Sequence, residues 1–164
     1  MAQTPKKVDR QSVNQTQSED IVDTMSRKLD NLAGLSDYTT RELVEDTQKL
    51  GAKLAGRDLK TTQIRKFLDA VNQLKARSRV YQTAEETEAV KSELPLLRAK
   101  LAYATARQKK NNDPGPVEPL YKVLDVAFKR VRPENEFFAK DFTRLVQLIE
   151  SIVAYHRYAG GKDQ

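Results

Sequence analysis

The stretch that decides the fold is Glu134–Tyr158, ENEFFAKDFTRLVQLIESIVAYHRY. Phe138, Phe142, Leu145, Ile149 and Ile152 recur at steps of three and four, the spacing that turns one face of an α-helix into a core. The strict alternation of a half-buried strand is found neither here nor elsewhere in the chain. This spacing predicts a long, apolar central helix in an all-α protein, a compact bundle of about five to six helices with a disordered N-terminal tail.

Working back from that helix, Pro133 ends a preceding one over about 117–131, whose stripe is Leu120, Leu124, Ala127 and Val131. Asn111-Asn112-Asp113-Pro114-Gly115-Pro116 is the strongest loop signal, because each residue favours a turn or obstructs a helix. Pro95 lacks an amide donor and disfavours helical geometry at Leu94, which predicts a break there, with Pro95 in the first turn of a separate helix. Thr83-Ala84-Glu85-Glu86 and Thr39-Thr40-Arg41-Glu42 read as capping boxes. Thr61 or Thr62 caps a helix running to roughly Arg79, with Ile64, Phe67, Leu68, Val71 and Leu74 on its core face. Leu43, Leu50 and Leu54 mark the helix that Gly56 stops. Ile21, Met25, Leu29 and Leu32 mark a first helix from about Glu19 to Ala33, ended by Gly34. The polar residues 1–18 read as the tail, and residues 19–164 as a single helical domain.

Composition excludes much chemistry. The chain has 164 residues and no cysteine, so disulfides, thiolate zinc sites and thiol nucleophiles are absent. No apolar run approaches the roughly 20 residues that span a bilayer, so no membrane partner is expected. The N-terminus has no apolar signal region, so a cytoplasmic location is expected. His156 is the single histidine and has no second ligand beside it, which favours a structural or surface role over a metal or catalytic one. Glu42, Glu45 and Asp46, like Glu85, Glu86 and Glu88, fit helix starts and solvated faces without a cation. The scattered glycines form no phosphate cradle. The expectation is a protein that is not an enzyme, with no catalytic, cofactor or metal residues.

Charge points elsewhere. Lys and Arg total 29 against 23 acids, a formal net charge of +6. The residues from Leu94 to Lys110 carry Arg98, Lys100, Arg107, Lys109 and Lys110 and no acid. On a helix, Lys100, Tyr103, Arg107 and Lys110 share one stripe, and Leu97, Leu101, Ala104 and Gln108 the next. One face packs and its neighbour offers cations around a ring, a surface suited to phosphates and stacked bases. A solvated face whose Lys and Arg stems cover apolar surface fits the same pattern.

Three segments add specificity: Thr61-Thr62-Gln63-Ile64-Arg65-Lys66-Phe67, Leu101-Ala102-Tyr103-Ala104-Thr105-Ala106-Arg107, and Glu150-Ser151-Ile152-Val153-Ala154-Tyr155-His156 leading into Tyr158-Ala159-Gly160-Gly161-Lys162-Asp163. Their order and spacing resemble the small subunit of the type III-A CRISPR effector, the Csm complex, from about Thr61 onward. Ala106 departs from the pattern, which has glycine before the arginine. The resemblance implies an all-helical, non-catalytic subunit of an antiviral ribonucleoprotein. Several copies would lie side by side, next to other Csm subunits, facing the groove where guide RNA pairs with target RNA and touching mainly the target backbone. Carried over by position, Arg65 and Lys66 match the basic pair after Gln-Ile, and Arg107 the motif arginine. With Arg98, Lys100 and Lys110 these are the expected RNA-binding residues. Arg65 has an alternative partner in Asp69 one turn on, and Tyr103 an alternative role closing the core beside Leu101. Glu150 reads as an acid that pairs or caps, and Ser151, Ala154 and Gly160 as close-packing and helix-ending positions. Two other readings stay open: a helical protein-interaction module with a basic face, and the equivalent small subunit of a type III-B effector.

Overall fold

Short polar side chains set where the helices begin. The Asp20 carboxylate accepts the Val22 amide at 2.9 Å and opens α1 (Ile21–Asp30). The Thr39 hydroxyl accepts the Glu42 amide at 3.2 Å and donates to the Glu42 carboxylate at 2.6 Å, opening α2 (Thr40–Ala55). The capping-box pair therefore meets at its side chains. For α3 (Thr61–Val80) the cap comes from inside the helix, where the Gln63 carboxamide accepts the Lys60 amide at 3.2 Å. There follow α4 (Ala84–Gln108), α5 (Glu118–Lys129) and α6 (Asn135–Tyr158), with a 3₁₀ turn at Leu35–Asp37 before α2. The computed structural model describes residues 19–80 and 84–163; the expected tail over 1–18 and the cap at Thr83 lie outside them. Among the described residues the fold is all-α, its only ladder contact an isolated bridge between Lys110 and Asp113.

Two expectations about helix ends are corrected. The first helix stops at Asp30, short of Ala33: the Leu32 amide bonds the Leu29 carbonyl at 3.2 Å, tightening the end into a 3₁₀ turn, and Gly34 is extended, with φ −151°. The break at Pro95 does not occur, because α4 runs through it. Val90, Leu94, Leu97 and Leu101 are buried on both sides of the proline, while Pro95 is exposed. The packed stripe holds both halves in one helix, and the missing bond falls on the solvent side, where water can satisfy the freed carbonyl.

α6 is the central element, packed chiefly on α2 and also on α3 and the 3₁₀ turn. Phe138, Phe142, Leu145, Ile149 and Ile152 are all buried, as their spacing predicts, together with Val146 and Leu148. α1 lies on α5 and α2, and α4 on α3 and α5. The α2–α6 approach depends on Gly51. A Cβ at that position would stand 2.6 Å from the His156 amide nitrogen and 2.7 Å from the Tyr155 carbonyl carbon, contacts with backbone that cannot swing aside. The tight packing is thus at Gly51. Ala154, expected as a close-packing position, is exposed, while Gly160 ends α6 with φ +89° as expected.

Buried polar groups fasten the periphery to this pair. Asp141 of α6 is fully buried and accepts the Ser36 amide at 2.8 Å, the Arg132 amide at 3.0 Å and the Arg132 guanidinium at 2.8 and 3.0 Å. Burial alone would raise its pKa, but the bonds from Arg132 and Ser36 prevail and hold it at about 2. Asp46 of α2 accepts the Tyr38 hydroxyl at 2.7 Å and the Lys28 ammonium at 2.8 Å, joining α1 to the start of α2.

His156 forms the last fastening, and its role is structural. Its ring is fully buried, with Nε2–H donating to the Leu59 carbonyl at 2.8 Å and Nδ1 accepting from the Thr61 hydroxyl at 3.3 Å, the tautomer its carbonyl partner requires. The Thr61 amide donates to the Lys162 carbonyl at 2.8 Å, and the Gly161 amide to the His156 carbonyl at 2.9 Å. A Cβ on Gly161 would come within 2.1 Å of the imidazole, so the chain after α6 must be glycine to fold over the ring. The carboxyl-terminal motif of the sequence is thereby a clasp that holds the start of α3.

Gly51→Ala should cost about 1–3 kcal/mol, the usual range for overpacking, and lower the thermal midpoint without changing helical circular dichroism below the transition. His156 supplies a pH signature. Burial, with help from the Arg157 charge, lowers its pKa below 6.5 against the raising effect of the Leu59 bond. The unfolded chain therefore binds a proton near pH ~6.5 that the folded chain resists, so stability is full above that value and falls as pH drops towards the folded pKa. Urea midpoints should decline from pH ~8 to ~5, and His156→Gln should flatten the slope.

Candidate nucleic-acid interface

Between α3 and α4 the helices leave a groove of about 540 Å³. From α3, Gln63, Lys66, Phe67 and Ala70 face it at steps of three and four. From α4 come Leu97, Lys100, Leu101, Ala104, Arg107 and Gln108 at the same spacing, and Leu59, Val117 and Leu120 close the bottom. Leu59, Phe67, Leu97, Leu101, Val117 and Leu120 are buried and make an apolar floor; Lys66, Lys100, Ala104 and Arg107 are exposed along the rim. No acid lines the groove.

Of the six expected RNA-binding residues, the structure brings three together here: Lys66 from one wall, Lys100 and Arg107 from the other. None of these has a carboxylate within ion-pair distance among the described residues. Arg65 points away from the groove to Asp163 at 3.8 Å; the expected partner Asp69 is not used. Arg98 is engaged by Asp125 of α5 at 2.6 Å, and Lys129 reaches the same carboxylate at 2.7 Å. Burial pushes the Asp125 pKa up, but hydrogen bonds from both cations leave it lowered overall. The helical wheel already separates Arg98 from Lys100 by about 200°. Lys110 is exposed but lies past the end of α4, in a turn where its backbone pairs with Asp113 at 3.2 and 2.9 Å, so it does not continue the helical stripe.

The packed stripe of α4 also shifts by one residue. Thr105 is buried, its hydroxyl donating to the Leu101 carbonyl at 2.8 Å, where Ala104 was expected; Ala104 and part of Gln108 are left to the groove. Tyr103 does not close the core. It is 66% exposed, with the Arg107 guanidinium 5.9 Å from its ring centre. Glu150 is exposed and finds no partner among the described residues.

Sequence reasoning missed the groove itself. Both walls are visible as helical stripes, but nothing in the residues of α3 says that its Gln63-Lys66-Ala70 edge faces Lys100 and Arg107. Gln108 was also missed as a groove residue; its carboxamide oxygen is buried and finds no hydrogen-bond partner among the described residues.

The segment from the 3₁₀ turn through α6 and its clasp, residues 37–162, matches the Csm2 Type III-A family. The chain belongs to the type III-A Csm2 family. It is a small subunit of a type III-A CRISPR complex, and other Csm subunits are its partners there. Comparison with curated proteins and with solved structures returned no match. Among the described residues no group of three or more potential metal ligands converges, and no helix is long and apolar enough to cross a membrane. In this Csm2 chain Arg98 holds α4 to α5. Arg98→Gln should weaken the fold by no more than about 1 kcal/mol, since the arginine is half-exposed. A double-mutant cycle with Asp125→Asn should show coupling between the two, measured as urea midpoints.

Proposed function

We propose that this Csm2 subunit, acting as a single helical domain, holds target RNA along the guide–target groove of the effector without cleaving it. Lys66, Lys100 and Arg107 contact phosphates, with Lys110 and Arg65 as outlying contributors. The observation that carries the reading is the convergence, on one groove with no acid in its lining, of three cations from two helices that have no ion-pair partner among the described residues. Ammonium and guanidinium groups held this way neutralise phosphates without distinguishing bases, which suits a subunit whose sequence reading is delegated to the guide. Further copies of the chain alongside would extend the same rim along the RNA, in the cytoplasm. A protein-interaction role for the groove draws support from its apolar floor; on that reading the test below would cost assembly, and on the RNA reading it would cost target retention.

That test is Lys100→Glu with Arg107→Glu in the assembled effector. Both side chains lie off the buried stripe, so the fold should survive. Retention of unrelated target sequences should fall about equally, and each lost phosphate contact should reduce the log–log salt slope by roughly 0.7 for a single strand. Unchanged retention and slope at equal assembly would overturn the reading. Failure of the variant to assemble would assign the rim to a protein interface.

A further inference from the structure

We infer that His156 is a positioning residue for the groove: by holding the start of α3 it sets where Lys66 meets a phosphate. This rests on the reading above and adds a buried residue that lies outside the groove lining. The two walls are fastened separately. α4 is tied to α5 by Arg98 and Asp125 at 2.6 Å, an ion pair in which the clasp has no part. α3 packs on α4 and α6, and its two ends have different anchors. At the far end the Arg77 guanidinium donates to Glu93 of α4 through two bonds of 2.7 and 2.5 Å. At the near end the anchors come from the carboxyl-terminal segment. The Lys162 carbonyl accepts the Thr61 amide at 2.8 Å, and Asp163 stands 3.8 Å from Arg65 and 2.5 Å from Arg157 of α6.

His156 is where the near-end anchors meet the groove. Its Nε2–H holds the carbonyl of Leu59, a residue that closes the groove bottom, and its Nδ1 holds the hydroxyl of Thr61, the first residue of α3. Gln63 and Lys66, both in the groove lining, follow within about one and a half turns. Without the imidazole, buried Leu59 loses the donor to its carbonyl. Leaving such an acceptor unpaired is costly, so the link into α3 must move until water reaches it. With the far end held at Glu93, that movement carries Lys66 away from its place. Lys100 and Arg107 stay, because their helix is anchored elsewhere. A clasp that served stability alone would lower the thermal midpoint and leave phosphate contacts untouched.

The test is a double-mutant cycle between His156→Ala and Lys66→Gln in the assembled effector. Target retention and its salt dependence are read at a temperature where each variant keeps its helical circular dichroism. Lys66→Gln should reduce the log–log slope by roughly 0.7, the loss of one single-strand phosphate contact. His156→Ala should reduce it by the same amount, and the double variant by no more than either single one, because both lose the same contact. His156→Gln, whose carboxamide can still donate to the Leu59 carbonyl, should recover most of the slope. If His156→Ala does not assemble, Thr61→Val removes one bond of the clasp and enters the same cycle. It should lower retention less, and not at all in the Lys66→Gln background. A slope unchanged by the clasp variant, or losses that add to those of Lys66→Gln, would make the clasp purely structural and overturn the inference, with the phosphate reading intact. A silent Lys66→Gln would remove Lys66 from the phosphate reading and overturn this inference with it, leaving Lys100 and Arg107 to the charge reversal.

Discussion

The close approach of α2 to α6 at Gly51 is the constraint on which the rest of the structure depends. Because the α6 backbone sits where a side chain would otherwise stand, the two helices bring Leu50 and Leu54 against the apolar face of the central helix. The same approach fixes the height of Tyr155 and His156 relative to the end of α2. From there the imidazole reaches the Leu59 carbonyl and the Thr61 hydroxyl, which sets where α3 starts. Lys66 lies little more than one helical turn beyond that start, so one glycine contact propagates through a histidine to the wall of the groove.

Local charge arithmetic alone would have misplaced the interface. Seventeen acid-free residues invite the view that all their cations act together, but α4 divides them. Arg98 turns inward to a carboxylate shared with Lys129, whereas Lys100 and Arg107 form no ion pair among the described residues and lie beside a wall supplied by a different helix. The functional surface is defined less by how many cations the segment holds than by which of them tertiary packing leaves without partners. Tyr103 behaves in the same way: it lies two residues from the buried Leu101, yet the packed stripe runs through Thr105 and leaves its ring exposed.

The features legible in the sequence were those governed by short-range spacing. The core face of α6, the loop between α4 and α5, the Thr39 cap and the helical class all follow from periodicity and from the donors and acceptors of single residues. Pro95 was misread because its local cost, one lost bond, is small against two buried side chains on either side of it, and that balance depends on α3 and α5 being present. The groove and the Gly51 contact were not legible for a related reason: each is a meeting of two stripes, and the pairing of stripes is decided by the whole bundle. The family-specific ending was visible as a motif, but only the imidazole lying beneath Gly161 shows why those residues occur together.

The clasp has a consequence for the order of synthesis. Thr61 and His156 stand 95 residues apart, and the core faces of α2 and α3 are completed by α6, that of α1 by α5. A chain emerging from its amino end displays these leucine-rich stripes before the helix that covers them has been made. Contacts of such long sequence separation must wait for a large loop to close, which slows folding and leaves apolar surface exposed meanwhile. The wall of the groove that carries Lys66 is therefore among the first parts of the protein to be translated and among the last to be fixed in place.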